Sequence, residues 1–190
     1  MAECEIMMTK RSPRRIDKSM QKKIIRDTEP FIEGWVKDSD LPKYSLRWFL
    51  AARSEAFKSD FHTFKVGCVI VYKNHIIGRG HNQLKTDPLQ KRYNNRYRDW
   101  TNELEFSKTC GHTIHAETDA ISSVTYPIAQ QVNWKKAKAY VFRVTLGEDT
   151  GYMGLALPCP ACAAALSDIG IKKAYYTTGR IDKHFGKCDL

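Results

Sequence analysis

The sequence predicts an α/β protein in which helices cover both faces of a mixed β-sheet. A β-rich run at residues 66–72, a turn at 73–74 and a second run at 75–80 have the pattern of a β-hairpin. Beyond this hairpin, helical and strand patterns alternate along the chain. Such alternation is typical of a sheet with helices on both faces.

A helix is predicted to precede the hairpin. Ser45 can cap its N-terminus, and Leu46, Phe49, Leu50 and Phe57 then recur at helical spacing. An apolar stripe of this kind requires a partner surface. We therefore expect this helix to pack on the sheet.

The second half of the chain supplies the remaining predicted elements. In chain order they are a helix at 114–124 with Ala116, Ala120, Ile121 and Val124 facing inward, a strand at 140–145, a glycine-rich loop at 147–157, a helix at 158–168 and a strand at 171–177. Gly170 is a typical C-terminal stop for the second of these helices.

The length of 190 residues fits one domain with an appendage. Residues 1–44 are charge-rich and interrupted by prolines, which predicts an appendage with one short helix at 19–26. Residues 45–178 form the predicted domain, and 179–190 form a C-terminal tail. Within the domain, residues 83–111 have little regular pattern and are predicted to be a long basic loop.

Composition excludes several classes of protein. No apolar run approaches the roughly 18 residues of a membrane span, and the N-terminal residues lack the apolar core of a signal peptide. Six cysteines are few for a disulfide scaffold. We therefore expect a cytoplasmic protein that does not bind membranes and whose thiols are reduced and available as metal ligands.

The positive charge is concentrated in the middle of the chain. The formal net charge is +10, and residues 45–113 hold twelve Lys or Arg against six acids, an excess of six. A basic excess favours partners that carry phosphate. We therefore expect this part of the chain to contact an anion.

Three residues of metal-binding type lie at the predicted starts of two helices. His115 lies at one start, and Cys159 and Cys162 lie at the other. Residues three apart share a helix face, so both sulfurs can lie about 2.3 Å from one Zn²⁺. Three protein ligands leave a fourth position for water, as in catalytic rather than structural zinc sites. The sequence therefore predicts zinc as a catalytic cofactor.

Glu117 is the candidate proton carrier. It lies two residues after His115, so it points away from the ligand and can take a proton from water and return it. Taken singly, each of these four residues has a structural explanation, as a buried cysteine, a core histidine or a first-turn acid. Together with Pro158, they match the H-x-E…P-C-x-x-C signature of zinc nucleobase deaminases.

With these motifs the chain resembles the cytidine and deoxycytidylate deaminase superfamily, and most closely its deoxycytidylate deaminase type. Residues 65–70, 80–82 and 170–173 also match, in the expected order, within a resemblance that covers 45–178. The resemblance implies a three-layer α/β/α sandwich with a five-stranded mixed sheet. It also implies hydrolytic deamination of cytosine to uracil.

The resemblance further implies roles for individual residues. Asn82 would contact the sugar, the backbone of Ala116 would hold the base, and Glu117 would be the proton shuttle. The chain departs from many deoxycytidylate-type members because Leu157–Pro158 stands where they have a serine–proline or similar pair.

The substrate is predicted from the basic segment 85–100, in which cations and aromatic rings are interleaved. Its candidate phosphate or nucleic-acid contacts are Lys85, Lys91, Arg92, Tyr93, Arg96, Tyr97, Arg98 and Trp100. The same residue types can close over one 5′-phosphate or line a groove for a single strand. A deoxycytidylate-like nucleotide is favoured, and the alternative is cytosine in single-stranded DNA or RNA. The rival from another class is a non-catalytic nucleic-acid-binding protein that uses zinc only for folding.

Two further questions stay open at this point. Cys110 and His112 precede His115 and could belong to a second, structural zinc site, but the sequence shows no fourth ligand. Dimers or larger assemblies are common in the resembled group, so a homo-oligomer is an open prediction without an identified interface.

Overall fold

The computed structural model describes residues 41, 45–98, 113–146, 151–180 and 182–190. The predictions for the N-terminal appendage, including its helix at 19–26, lie outside the described residues. The same applies to Trp100 and to the pair Cys110 and His112.

The described chain contains eight strands and five α-helices. The strands are β1 (Phe64–Tyr72), β2 (His75–His81), β3 (Gln83–Thr86), β4 (Thr113–Ile114), β5 (Lys138–Leu146), β6 (Gly151–Gly154), β7 (Lys173–Thr177) and β8 (Phe185–Asp189). The helices are α1 (Leu46–Ala56), α2 (Pro88–Tyr97), α3 (Ala116–Ser122), α4 (Tyr126–Gln131) and α5 (Pro160–Asp168), with a 3-10 helix at Trp134–Lys136.

The main sheet has the strand order β2-β1-β5-β7-β8, and β6 pairs with the C-terminal half of β5. The pair of β5 and β7 is parallel, whereas β1 with β2, β1 with β5, and β7 with β8 are antiparallel. The sheet is therefore mixed, and the predicted α/β fold class is confirmed. Strands β3 and β4 form a separate two-stranded sheet.

Side chains of β5 alternate between two cores, because successive residues of a strand face opposite sides of its sheet. Val141 packs in a cluster with Ala116 of α3 and Leu166 of α5. Tyr140 packs in the other cluster with Phe49 of α1. The sheet therefore lies between α1 on one face and α3 with α5 on the other, which gives three layers.

Helix α3 lies in close contact with β2 because the strand carries glycine at the point of contact. A Cβ atom at Gly80 would lie 2.2 Å from the backbone nitrogen of Ala120 and 2.4 Å from the carbonyl oxygen of Ala116. Any side chain at this position would push the helix outward. Gly80 therefore fixes the distance between the sheet and the first turn of α3.

The predicted hairpin is confirmed, and its turn has a left-handed backbone. Strands β1 and β2 pair in the expected way, and the turn residues Lys73 and Asn74 both have positive φ, at 47° and 63°.

Ser45 precedes α1 as predicted, but its side chain does not cap the helix. Its hydroxyl instead lies 3.4 Å from that of Tyr140, which is a contact between the helix and β5.

The prediction of a structureless loop at 83–111 is wrong where the structure describes it, since β3 and α2 lie there. Asp87 caps α2 by accepting a hydrogen bond from the backbone of Gln90 at 2.7 Å, and Pro88 occupies its first turn. The helix lacks an apolar stripe because its buried residues are Gln90 and Asn94. Its buried face is polar, so hydrophobic periodicity does not reveal it.

Other boundaries also differ from the prediction. The glycine-rich loop at 147–157 contains β6, and the tail at 179–190 contains β8, which pairs with β7. The helix expected at 114–124 is shorter because residues 113–114 form β4. Helix α5 and strand β7 each begin two residues later than predicted. Gly170 follows α5 with a φ of 103°, as its predicted role as a helix stop requires.

Within the described ranges, the structure shows no helix with the length and apolar character needed to cross a bilayer.

Candidate metal centre and active site

Two helix starts bring the three predicted metal ligands together. His115 immediately precedes α3, Cys159 immediately precedes α5, and Cys162 is the third residue of α5. The Nδ1 atom of His115 lies 3.6 Å from the Sγ atom of Cys159 and 3.3 Å from the Sγ atom of Cys162. All three ligand atoms lie within 4.8 Å of one another.

These separations fit a zinc ion. Tetrahedral coordination with the usual Zn–N and Zn–S bond lengths places nitrogen and sulfur ligands about 3.6 Å apart. The observed distances from His115 to the two sulfurs are 3.6 and 3.3 Å. Two sulfurs and one imidazole nitrogen are also the ligand types that zinc prefers. The three residues are therefore positioned to bind zinc.

The two cysteines share one hydrogen bond that affects their pKa values in opposite directions. A hydrogen bond from Cys162, supported by His115, lowers the pKa of Cys159 to about 4 despite its burial. Cys162 is the donor in that bond, and this together with complete burial raises the pKa of Cys162 well above its usual range. One sulfur thus carries negative charge readily, and the other requires a strong electrostatic partner such as a metal ion to do so.

Negative charge is concentrated in the same buried space. Burial raises the pKa of Glu117, and the nearby Cys159 thiolate raises it further. Burial disfavours the charged form of His115, but the hydrogen bond and charge of Cys159 outweigh this and raise the pKa of His115. A divalent cation among these groups would relieve the repulsion, which is a second reason why the site fits zinc.

A cavity of about 390 Å³ opens beside the metal ligands. Its lining residues include His115, Glu117 and Cys159, together with the apolar side chains of Leu155 and Leu157. Its volume lies within the range of small-molecule sites. Glu117 is only 5% exposed, so its carboxyl group lies inside this cavity and away from bulk water.

The residues predicted to hold the substrate, Asn82 and Ala116, also line the cavity and are both buried. The side chain of Asn82 accepts a hydrogen bond from the backbone of Val66 at 2.7 Å and donates one to the carbonyl of Phe64 at 3.4 Å. Asn82 therefore also holds the start of β1 against the end of β2. Ala116 occupies the first position of α3, directly between His115 and Glu117.

The predicted phosphate or nucleic-acid contacts are divided by the structure. Among those it describes, Arg98 lines the cavity. The exposed cations lie elsewhere on β3 and α2, and these are Lys85, Lys91, Arg92 and Arg96. Tyr93 donates a hydrogen bond to Asp168 of α5 at 2.9 Å and stacks on Tyr97 with ring centroids 6.0 Å apart.

Two groups at the site escaped sequence analysis. Arg143 lines the cavity from the middle of β5, and its only sequence signal is a cation between the apolar residues Phe142 and Val144. Gln90 of α2 lies fully buried beside the metal centre, with its Oε1 atom 4.0 Å from the Sγ atom of Cys162. It accepts a hydrogen bond from Thr118 at 2.7 Å and donates one to Asn94 at 2.8 Å.

Solved structures of three proteins are similar to this chain. The dCMP deaminase of cyanophage S-TIM5 is 17% identical over 73% of this chain and 85% of that one, with a TM-score of 0.41. The cytidine deaminase of Burkholderia pseudomallei is 16% identical over 78% and 93%, with a TM-score of 0.45. Acinetobacter baumannii RibD is 18% identical over 77% and 28%, with a TM-score of 0.32. These likenesses are weak, and the family assignment does not depend on them.

No curated protein sequence matches the chain significantly. The family model described as the cytidine and deoxycytidylate deaminase zinc-binding region matches residues 42–178. That range is well over half of the chain and includes His115, Glu117, Cys159 and Cys162. The chain therefore belongs to the cytidine and deoxycytidylate deaminase family, zinc-dependent hydrolases that act on a C–N bond of cytosine.

Proposed function

We propose that this protein converts cytosine to uracil in a deoxycytidylate-like nucleotide, with His115, Cys159 and Cys162 as zinc ligands and Glu117 as the proton shuttle. The observation that carries the proposal is the position of the Glu117 carboxyl group. It is buried in the same cavity as His115 and Cys159, where a base and a water molecule can meet it.

Glu117 has the environment of a general acid and base. Burial raises the pKa of Glu117, so its carboxyl group keeps a proton at a higher pH than that of an exposed glutamate. Zinc, when bound, lowers the pKa of a water molecule and so makes a nucleophile available at neutral pH. Glu117 accepts a proton as the water oxygen attacks the amine-bearing carbon and delivers a proton to the nitrogen that leaves as ammonia.

Cavity size supports a nucleotide as the substrate. A volume of about 390 Å³ matches sites for small molecules. We assign the sugar contact to Asn82 and the base contact to the backbone of Ala116, because both residues line the cavity next to Glu117. Among the described residues of the predicted basic segment, Arg98 lines the same cavity and supports this proposal.

The alternative substrate, cytosine in single-stranded DNA or RNA, is supported by the exposed surface of α2. Arg92 and Arg96 are exposed there, and the guanidinium of Arg96 lies 5.3 Å from the ring centre of Tyr97. Paired cations and rings of this kind bind phosphates and stack on bases. The non-catalytic alternative is less well supported, because it assigns no role to a buried carboxyl group beside the metal ligands.

We further propose a cytoplasmic location, where thiols are kept reduced. The described cysteines Cys68, Cys159, Cys162 and Cys188 are all free.

We also propose a homo-oligomer, because dimers or larger assemblies are common in this family. The molar mass of the purified protein in solution tests this proposal directly.

An activity panel tests the proposed substrate. Zinc-loaded protein is incubated separately with cytidine, dCMP, dCTP and a cytosine-containing single-stranded oligonucleotide, and the uracil product is measured by mass spectrometry. We expect dCMP to have the highest kcat/KM. Turnover of the oligonucleotide alone would contradict the nucleotide assignment, and steeply salt-dependent binding without ammonia release would support the non-catalytic alternative.

A further inference from the structure

Arg143 lies on the face of β5 that points toward the active site. Ala139 and Val141, which precede it at two-residue spacing, belong to the cluster packed beneath α3 and α5. Side chains alternate along a strand, so Arg143 continues this face one step further. At that point the apolar cluster ends and the cavity beside Glu117 begins, and Arg143 lines the cavity.

The guanidinium of Arg143 has two neighbouring groups that hold it in place, but one of its nitrogen atoms lacks a hydrogen-bond partner among the described residues. Its carbon lies 4.7 Å from the ring centre of Phe64, and one terminal nitrogen is 3.5 Å from the carbonyl oxygen of Leu155. The Nε atom is buried and has no hydrogen-bond partner among the described residues. A buried donor on a cation without a partner is unfavourable, so this position favours a ligand that carries an acceptor.

The charges around the cavity favour an anionic ligand. If zinc balances the two thiolates, the remaining charged groups that line the cavity within the described part of the chain are the guanidiniums of Arg98 and Arg143 and the carboxyl group of Glu117. Two cations against one anion give these described lining residues an excess of positive charge. The planar fork of arginine matches the paired oxygens of a phosphate group, whereas cytosine itself is neutral.

We propose that Arg143 binds the 5′-phosphate of the substrate and thereby makes a nucleoside monophosphate a better substrate than the corresponding nucleoside. This inference rests on the proposed function and adds a residue that determines specificity. The phosphate oxygens complete the hydrogen bonding of the Nε atom, while Phe64 keeps the guanidinium plane fixed.

The test compares wild-type protein with Arg143→Gln and Arg143→Lys on dCMP, on deoxycytidine and on a cytosine-containing oligonucleotide. For Arg143→Gln we expect kcat/KM for dCMP to fall by about 30-fold or more, because a charge-assisted hydrogen bond is lost. The value for deoxycytidine should change by less than about threefold. Arg143→Lys should show an intermediate loss on dCMP, because lysine keeps the charge without the fork.

A matched control is Arg180→Gln, which removes the same charge from an exposed guanidinium paired with Asp182. Its kinetic constants should equal those of the wild type. Zinc content and thermal unfolding of every variant are measured in parallel. If Arg143→Gln does not fold, the ratio of dCMP to deoxycytidine activity in Arg143→Lys decides the matter, and an unchanged ratio overturns the proposal.

Several outcomes separate this proposal from the proposed function. Equal losses on dCMP and deoxycytidine would overturn the role of Arg143 while leaving the deaminase function intact, and so would a loss confined to the oligonucleotide. If the wild type deaminates none of the substrates, the proposed function fails, and calorimetric binding of dUMP and deoxyuridine then tests Arg143. Weaker binding of dUMP alone in Arg143→Gln would support the proposal, and equal weakening of both ligands would overturn it.

Discussion

The metal centre and the exposed surface of α2 are neighbouring regions that differ in burial and in how their functional groups are positioned. At the metal centre, His115 and the two cysteines are positioned by the starts of two helices, and Glu117 is buried beside them. On α2, the cations are exposed and positioned by one helix. The groups of the metal centre are held by two helix starts in a buried space, whereas the cations of α2 are open to solvent. We therefore expect substitutions at the metal centre to have larger effects than substitutions on the exposed surface of α2.

The largest expected effect comes from removing one of the three metal ligands. Cys162→Ala should lose bound zinc and all measurable deamination, because two remaining ligands hold zinc poorly. The measurement is zinc per chain by mass spectrometry, together with the rate of ammonia release.

Cys188→Ala is the matched control for this variant. Cys188 is a free, partly buried cysteine on β8, outside the metal cluster, so its loss should leave zinc content unchanged. Full zinc occupancy in Cys162→Ala would show that the ligand assignment is wrong.

The support beneath the metal centre can be tested at Gly80. Gly80→Ala places a methyl group 2.2 Å from the backbone of Ala120, so α3 must shift or β2 must distort. We expect the free energy of unfolding to fall by about 2 kcal/mol or more, the usual range for overpacking.

Urea denaturation of zinc-loaded protein measures this change. His75→Ala alters an exposed residue of the same strand and should change the free energy of unfolding by less than about 0.5 kcal/mol. Equal stability of Gly80→Ala and wild type would contradict the close contact between helix and strand.

The buried face of α2 packs beside the metal centre. A substitution of Gln90 tests how much this packing contributes to stability. Gln90→Leu removes the hydrogen bonds to Asn94 and Thr118 and leaves buried polar groups there without these partners. We expect the free energy of unfolding to fall by about 1–3 kcal/mol.

Asn95→Leu makes a similar exchange at an exposed position of the same helix and serves as the control in the same denaturation experiment. If both variants unfold at the same urea concentration as the wild type, the polar network does not stabilise the packing of α2 beside the metal centre.

The smallest effect is expected on the exposed face of α2. Arg92→Gln combined with Arg96→Gln should change kcat/KM for dCMP by less than about twofold, because exposed charges contribute little and neither residue lines the cavity.

Steady-state kinetics at two salt concentrations measure this effect. A tenfold loss on dCMP would bring these arginines into nucleotide binding. A selective loss of oligonucleotide turnover, with a shallower dependence on salt, would instead favour the polymer substrate.

The metal centre is predictable from the sequence because the residue types and their spacing are tied directly to metal chemistry. Helix α2 is not, because Gln90 and Asn94 give it a polar buried face and apolar periodicity is therefore absent. The position of Arg143 at the cavity is not predictable either, because it depends on where the sheet places this residue of β5. Which residues meet at a cavity depends on strand order, and local patterns contain little information about strand order.

Strand β8 illustrates the same limit. Its residues at Phe185–Asp189 include Gly186 and two charged side chains, so the segment resembles a tail in sequence. Pairing with β7 makes it a strand, with Phe185 buried against Phe49 of α1. Tertiary context determined this element, as is common for edge strands with weak local preferences.

The role of Glu117 is tested most simply by comparing wild type with Glu117→Ala, both loaded with zinc and supplied with dCMP. We expect the wild type to release ammonia and form dUMP. The variant should retain one zinc per chain and lose deamination by at least about a thousandfold, because the proton carrier is gone while the ligands remain. Unchanged activity in Glu117→Ala would show that the buried carboxyl group of Glu117 does not transfer the protons.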